Sequence, residues 1–113
     1  MNMKYASQNL LDSLPDASNS EVFERLAGCG EVMVERIVSR GQSSPEQGWY
    51  DQKSAEWVMV VSGEASLEFD NGEQTFLQAG DYVLIPPHAR HRVAWTAPDQ
   101  PTVWLAVHFP QER

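Results

Sequence analysis

From residue 31 to residue 109 the chain repeats one pattern: short runs of β-branched, aliphatic and aromatic residues, each closed within a few positions by Gly, Pro or Asn. EVMVERIVS (31–39) stops at Gly41, EWVMVVS (56–62) at Gly63, ASLEF (65–69) at Asp70-Asn71-Gly72, QTFL (74–77) at Ala79-Gly80, and YVLI (82–85) at Pro86-Pro87. HRVAW (91–95) and TVWLAVHF (102–109) flank a Pro-bounded loop from Ala97 to Pro101. Strands of this length at this spacing predict an all-β sandwich or barrel. Within 65–69, alternation puts Ala65, Leu67 and Phe69 on one face, and Asp70-Asn71-Gly72 supplies the left-handed positions of a tight hairpin. A chain of 113 residues has room for one such domain.

Ahead of the strands, residues 1–30 read as an arm and one short helix, and 31–113 as the barrel. In the arm, Leu10, Leu11 and Leu14 are the strong apolar anchors before Pro15, and they need the surface of this domain or of a partner subunit to cover. Ser18 followed three residues later by Glu21, with Val22, Phe23 and Leu26 beyond, has capping-box spacing for about two turns of helix ending at Gly28. There is no internal repeat and no low-complexity tract.

Sixteen Asp and Glu against eight Lys and Arg give a net charge of -8. That charge repels phosphate backbones and anionic lipid surfaces, so neither nucleic acid nor membrane is an expected partner. No apolar run approaches the ~20 residues that cross a bilayer. The single cysteine, Cys29, makes no internal bridge, and the N-terminus lacks a basic-then-apolar leader pattern, so a reducing cytoplasm is the expected compartment.

Chemistry concentrates in and after the segment GQSSPEQGWYDQKSA (41–55), a long Gly/Pro-containing connection with a Trp-Tyr pair. Glu56 opens an apolar strand and shares a period-2 face with Val58 and Val60; His91 shares a face with Val93 and Trp95. An inward carboxylate or imidazole is costly unless it is paired, hydrogen-bonded or metal-bound. One reading leaves Glu56 solvated at the mouth and His91 hydrogen-bonded in the core; the other brings both into one site. Trp49, Tyr50 and Trp95 are core fillers or the apolar lining of a ligand pocket. His108 shares a face with Trp104 and Ala106, opposite Val103, Leu105 and Val107, and points wherever that face points. Arg90 and Arg92 alternate with His91 and face out.

Glu56-x6-Gly63 and Gly80-x5-Pro86 with His91 five positions further resemble the cupin superfamily, whose motifs are G-x5-H-x-H-x4-E-x6-G and G-x5-P-x-G-x2-H-x3-N. The resemblance spans about 31–109. It implies a cupin-like antiparallel β-barrel (jelly roll), here with the short N-terminal helix outside it, and pairing of two copies as a homodimer. The motif's two histidine positions fall on Trp49 and Asp51, its leading glycine on Ser43, the second motif's inner glycine on His88 and its asparagine on Trp95.

A cupin metal is held by three imidazoles and a carboxylate. The resemblance therefore implies a divalent transition metal (zinc, iron, manganese or nickel) on Glu56 and His91, with Asp51 at a former histidine position as an oxygen ligand; His88, three residues before His91, is a second imidazole from outside the motif, and one or both of Asp51 and His88 would complete the site. A small-molecule ligand would pack between Trp49, Tyr50, Trp95 and His108, with Tyr50 orienting substrate or moving a proton. Dioxygenase, isomerase and decarboxylase chemistry are all on the family's menu. The alternative is a non-catalytic ligand-binding or accessory module without metal.

Overall fold

The structure, a computed structural model, describes residues 5–44 and 48–111. Residues 1–4 of the expected arm, 45–47 of the expected loop and the last two residues lie outside this description. Eight strands follow one another: β1 (Val22–Cys29), β2 (Val32–Ser39), β3 (Ala55–Ser62), β4 (Glu64–Phe69), β5 (Gln74–Gln78), β6 (Tyr82–Ile85), β7 (His91–Thr96) and β8 (Thr102–Phe109). They form a five-stranded sheet in the order β1-β2-β8-β3-β6 and a three-stranded sheet in the order β5-β4-β7. All pairings are antiparallel. No helix is present among the described residues, and none therefore is long and apolar enough to cross a membrane.

The expected helix after Ser18 is corrected: residues 22–29 are an edge strand. Tertiary pairing outweighs local propensity here. Glu24 lies directly across from Arg36 in the β1–β2 register, and the guanidinium reaches it at 2.7 Å. Arg36 is buried and also donates to the carbonyls of Leu10 (2.9 Å) and Asp12 (3.0 Å), which fastens the arm to its own sheet. Glu21 caps no helix; it accepts a hydrogen bond from Ser39 Oγ at 2.7 Å.

The alternation read in the strands positions the core. Ile37 of β2, Val58 and Val60 of β3, and Trp104 and Ala106 of β8 face Ala65 and Leu67 of β4 and Leu77 of β5 across the gap between the sheets. The hairpin at 70–72 closes where the sequence predicts, but of its three residues only Gly72 is left-handed, at φ 89°, and its N–H donates to the Phe69 carbonyl at 3.0 Å.

Candidate functional site

Between the sheets, at one end of this core, lies a cavity of about 130 Å³. Its walls are mainly apolar, yet three carboxylates and two imidazoles line it: Glu21, Glu35, Glu56, His91 and His108. Strand geometry puts them there. Glu56 stands directly opposite His108 in the β3–β8 register, which sets their Cβ atoms about 5 Å apart on one face. Glu35 shares the inward face of Ile37 on β2 and accepts from His108 Nε2 at 2.9 Å. His91 enters from the other sheet at the start of β7, with Nε2 at 3.5 Å from Glu56 Oε1. The row Glu35, His108, Glu56, His91 thus alternates acid and base across the cavity.

His91 is oriented by its other nitrogen. Nδ1 lies 2.8 Å from the Ala89 carbonyl, which only accepts, so Nδ1 carries a hydrogen and Nε2 faces Glu56. Burial pushes the imidazole pKa down, but the hydrogen bond to Glu56, the Ala89 carbonyl and the charge of Glu56 together raise it above its ordinary 6.5. A raised pKa in the folded state means that the folded protein holds this proton more tightly than the unfolded chain. The stabilisation is present in full below pH 6.5 and is lost as pH rises through the raised value. Urea unfolding midpoints should therefore fall from pH 6 upward more steeply in the native protein than in His91→Gln; parallel pH profiles would refute this.

The segment entering β3 has a register that the sequence alone left one residue off. Tyr50 bridges His91, its N–H donating to the His91 carbonyl at 2.8 Å and its carbonyl accepting at 3.2 Å. Bridge partners point to one face, so Tyr50 and Gln52 turn toward the cavity while Trp49 and Asp51 turn away. The Tyr50 ring lies 5.6 Å from the His91 ring. Gln52 Oε1 is shut off from solvent and has no hydrogen-bond partner.

Three expected placements are corrected accordingly. Asp51 and His88 do not join Glu56 and His91; they form an exposed pair of their own, Nδ1 to Oδ1 at 2.7 Å, with Arg90 Nε at 3.5 Å from the other oxygen. The hydrogen bond from His88, reinforced by the nearby charges, holds the Asp51 carboxyl below its usual range. His88 is tied to this outer position by its turn: Ala89 N–H donates to the Pro86 carbonyl at 3.2 Å, with Pro87 second and His88 third at φ 63°. That third position favours glycine, which is the residue the resemblance puts there. Trp49 lies under the Arg92 guanidinium, 4.9 Å from the ring centre, and does not line the cavity.

Trp95 is also outside. The β4–β7 register slips between Ser66 and Leu67, which pair with Trp95 and Val93 and leave Ala94 as an extra residue. Such a bulge reverses alternation, so His91 and Val93 face in while Trp95 packs against Phe76 on the outer surface, ring centres 6.4 Å apart. His108, whose direction was open, points into the cavity with Trp104. Glu35, Gln52 and Glu21 also line the cavity and were missed. Glu35 carries the same signal as Glu56, a carboxylate on the period-2 face of Ile37; Gln52 becomes visible only with the corrected register, and the spacing of Glu21 from Ser18 points to a helix cap that does not form.

These donors do not fit a divalent transition-metal centre. Such a centre needs three or more nitrogen, oxygen or sulfur ligands converging at ~2 Å, and no three His, Cys, Asp or Glu among the described residues are so grouped. At the two positions beside Glu56 and His91 the chain presents a phenol and a neutral amide.

The fold is a small barrel with a cavity between its sheets, and a model of the cupin domain matches residues 26–108. The chain belongs to the cupin family. A solved structure from Ralstonia eutropha JMP134, described as a candidate mannose-6-phosphate isomerase, is 42% identical with a TM-score of 0.90, covering 95% of this chain and 100% of its own. A cupin superfamily protein from Desulfitobacterium hafniense DCB-2 shares the fold at 18% identity and TM-score 0.76, covering 98% of this chain and 97% of its own. So does a cupin with a double-stranded β-helix fold from Methanocaldococcus jannaschii, at 18% identity and TM-score 0.69 over 96% and 94%. No curated protein matches the chain.

Proposed function

We propose that the chain binds a small molecule inside its barrel and moves a proton on it, as an isomerase whose acid–base couple is Glu56 and His91. The observation that carries this reading is the pair itself: an imidazole fixed by Ala89 and held 3.5 Å from a carboxylate in a mainly apolar cavity. Burial raises the strength of such groups by removing competing water. The Glu56 carboxylate accepts a proton from the carbon beside a carbonyl, and His91, protonated at Nε2, donates to the carbonyl oxygen. Return of the proton to the neighbouring carbon, with loss of one from oxygen, completes the rearrangement without any added oxidant or reductant. Tyr50 forms the wall beside the His91 ring. The name given to the 42% identical protein from Ralstonia eutropha supports the same class of chemistry.

The test is incorporation of deuterium from D2O into a panel of α-hydroxy carbonyl compounds, both uncharged and phosphorylated, followed by proton NMR. Glu56→Gln and His91→Gln should each slow exchange about 100-fold or more, while Asp51→Asn at the outer pair leaves it unchanged. Exchange at the buffer rate with every compound, or rates unaffected by both cavity substitutions, would refute the reading.

A further inference from the structure

We infer that the cavity selects an uncharged α-hydroxy carbonyl compound about the size of a six-membered ring and excludes phosphorylated sugars. The inference rests on the acid–base reading of Glu56 and His91 and adds the substrate class. Size is the first ground. A cavity of about 130 Å³ is comparable with the ~150 Å³ cavity that holds benzene. A cavity of this volume takes a ring-sized body, and a hexose phosphate would have to leave its phosphate outside it.

Charge is the second ground. Among the described residues lining the cavity there is no Lys or Arg, and three carboxylates face two imidazoles. Even with both imidazoles protonated, the ionised cavity keeps a surplus negative charge. Glu21 carries it, held in place by Ser39 Oγ at 2.7 Å, which in turn accepts from Trp104 Nε1 at 3.1 Å. The nearby cations are engaged outside: Arg90 reaches Asp51, and Arg92 reaches Glu68 and the Trp49 ring. A phosphate needs guanidinium, ammonium or a row of backbone N–H donors, and in this lining the charged side chains other than the imidazoles are all acceptors.

The third ground is Gln52, whose Oε1 is buried without a donor. A ligand that brings one hydroxyl hydrogen satisfies it, and a carbonyl beside that hydroxyl gives His91 its acceptor. The mainly apolar walls, with Val58, Leu67, Ile85 and Val93 among them, suit a hydrocarbon body better than a fully hydroxylated one.

The experiment is a methyl-resolved NMR titration of the full chain with 2-hydroxycyclohexanone, cyclohexanecarboxylate and mannose 6-phosphate. The uncharged compound should shift the methyl signals of Val58, Leu67, Ile85 and Val93, and the two anions should bind at least tenfold more weakly. Gln52→Leu should weaken the uncharged compound about tenfold. Glu21→Gln, which keeps an acceptor for Ser39, should narrow the deficit of cyclohexanecarboxylate relative to the uncharged compound; a methyl spectrum without ligand that stays as dispersed as the native one confirms that each variant is folded. Equal or tighter binding of either anion, or no cavity shift with 2-hydroxycyclohexanone, overturns the inference. Deuterium exchange on another compound together with such a result leaves the acid–base reading standing. Binding of the uncharged compound without exchange sinks that reading and keeps the size and charge selection.

Discussion

Gly63→Ala is expected to destabilise the protein by about 3 kcal/mol or more, the sum of backbone strain and a backbone clash of 1–3 kcal/mol each. Gly63 sits between β3 and β4 at φ 93°, a conformation that L side chains rarely adopt. A Cβ there would stand 2.5 Å from Thr102 Oγ1, 2.7 Å from Thr102 Cα and 2.8 Å from the Pro101 carbonyl. None of these can move freely: Thr102 is fully buried, and its hydroxyl bonds the Glu64 carbonyl at 3.1 Å. Gly72 separates the two contributions. It has a similar φ of 89° but nothing within 4 Å of its would-be Cβ, so Gly72→Ala should show strain alone, about 1–2 kcal/mol. At roughly 4 °C per kcal/mol for a domain of this size, the melting temperature should drop by about 12 °C or more at Gly63 and by about half that at Gly72. Equal drops would show that the contact with β8 is not what requires glycine at position 63.

Trp104→Ala carries the second large effect. Trp104 is buried in the central cluster and also forms part of the cavity wall, so its removal loses packing on one side and enlarges an existing void on the other. Large-to-small changes of this kind cost about 3–5 kcal/mol. Trp104→Phe keeps most of the ring and loses the N–H that bonds Ser39 Oγ at 3.1 Å; the serine still donates to Glu21, so that change should cost about 1 kcal/mol. Urea unfolding of the two variants reads both numbers. A Trp104→Ala protein as stable as Trp104→Phe would mean that the ring packs less tightly than its burial indicates.

Much of the barrel was legible in the sequence because a strand announces itself locally. β2 through β8 coincide with the runs of apolar alternation to within a residue or two, and Gly63, Gly72 and Gly80 all have positive φ. Glu56 and His91 stood out for the same local reason, a polar residue on an apolar face. β1 did not, since Ser18 and Glu21 obey a helix-start rule and only the partner strand, with Arg36 opposite Glu24, turns 22–29 into an edge.

What the sequence by itself determined is therefore the strands from β2 to β8, the turns between them and the inward alternation within each regular run. The tertiary structure alone decided where that alternation is reset. One reset is the Tyr50–His91 bridge, which turns Tyr50 and Gln52 inward and leaves Trp49 and Asp51 outside. Another is the extra residue at Ala94, which sends Trp95 to the outer surface. Side chains in a strand repeat every two residues, so a slip of one moves each of them to the opposite face. Nothing within the slipped segment records the slip; it is set by hydrogen bonds to a strand distant in sequence, and on it depends whether the cavity presents a metal's ligands or the phenol and amide found here.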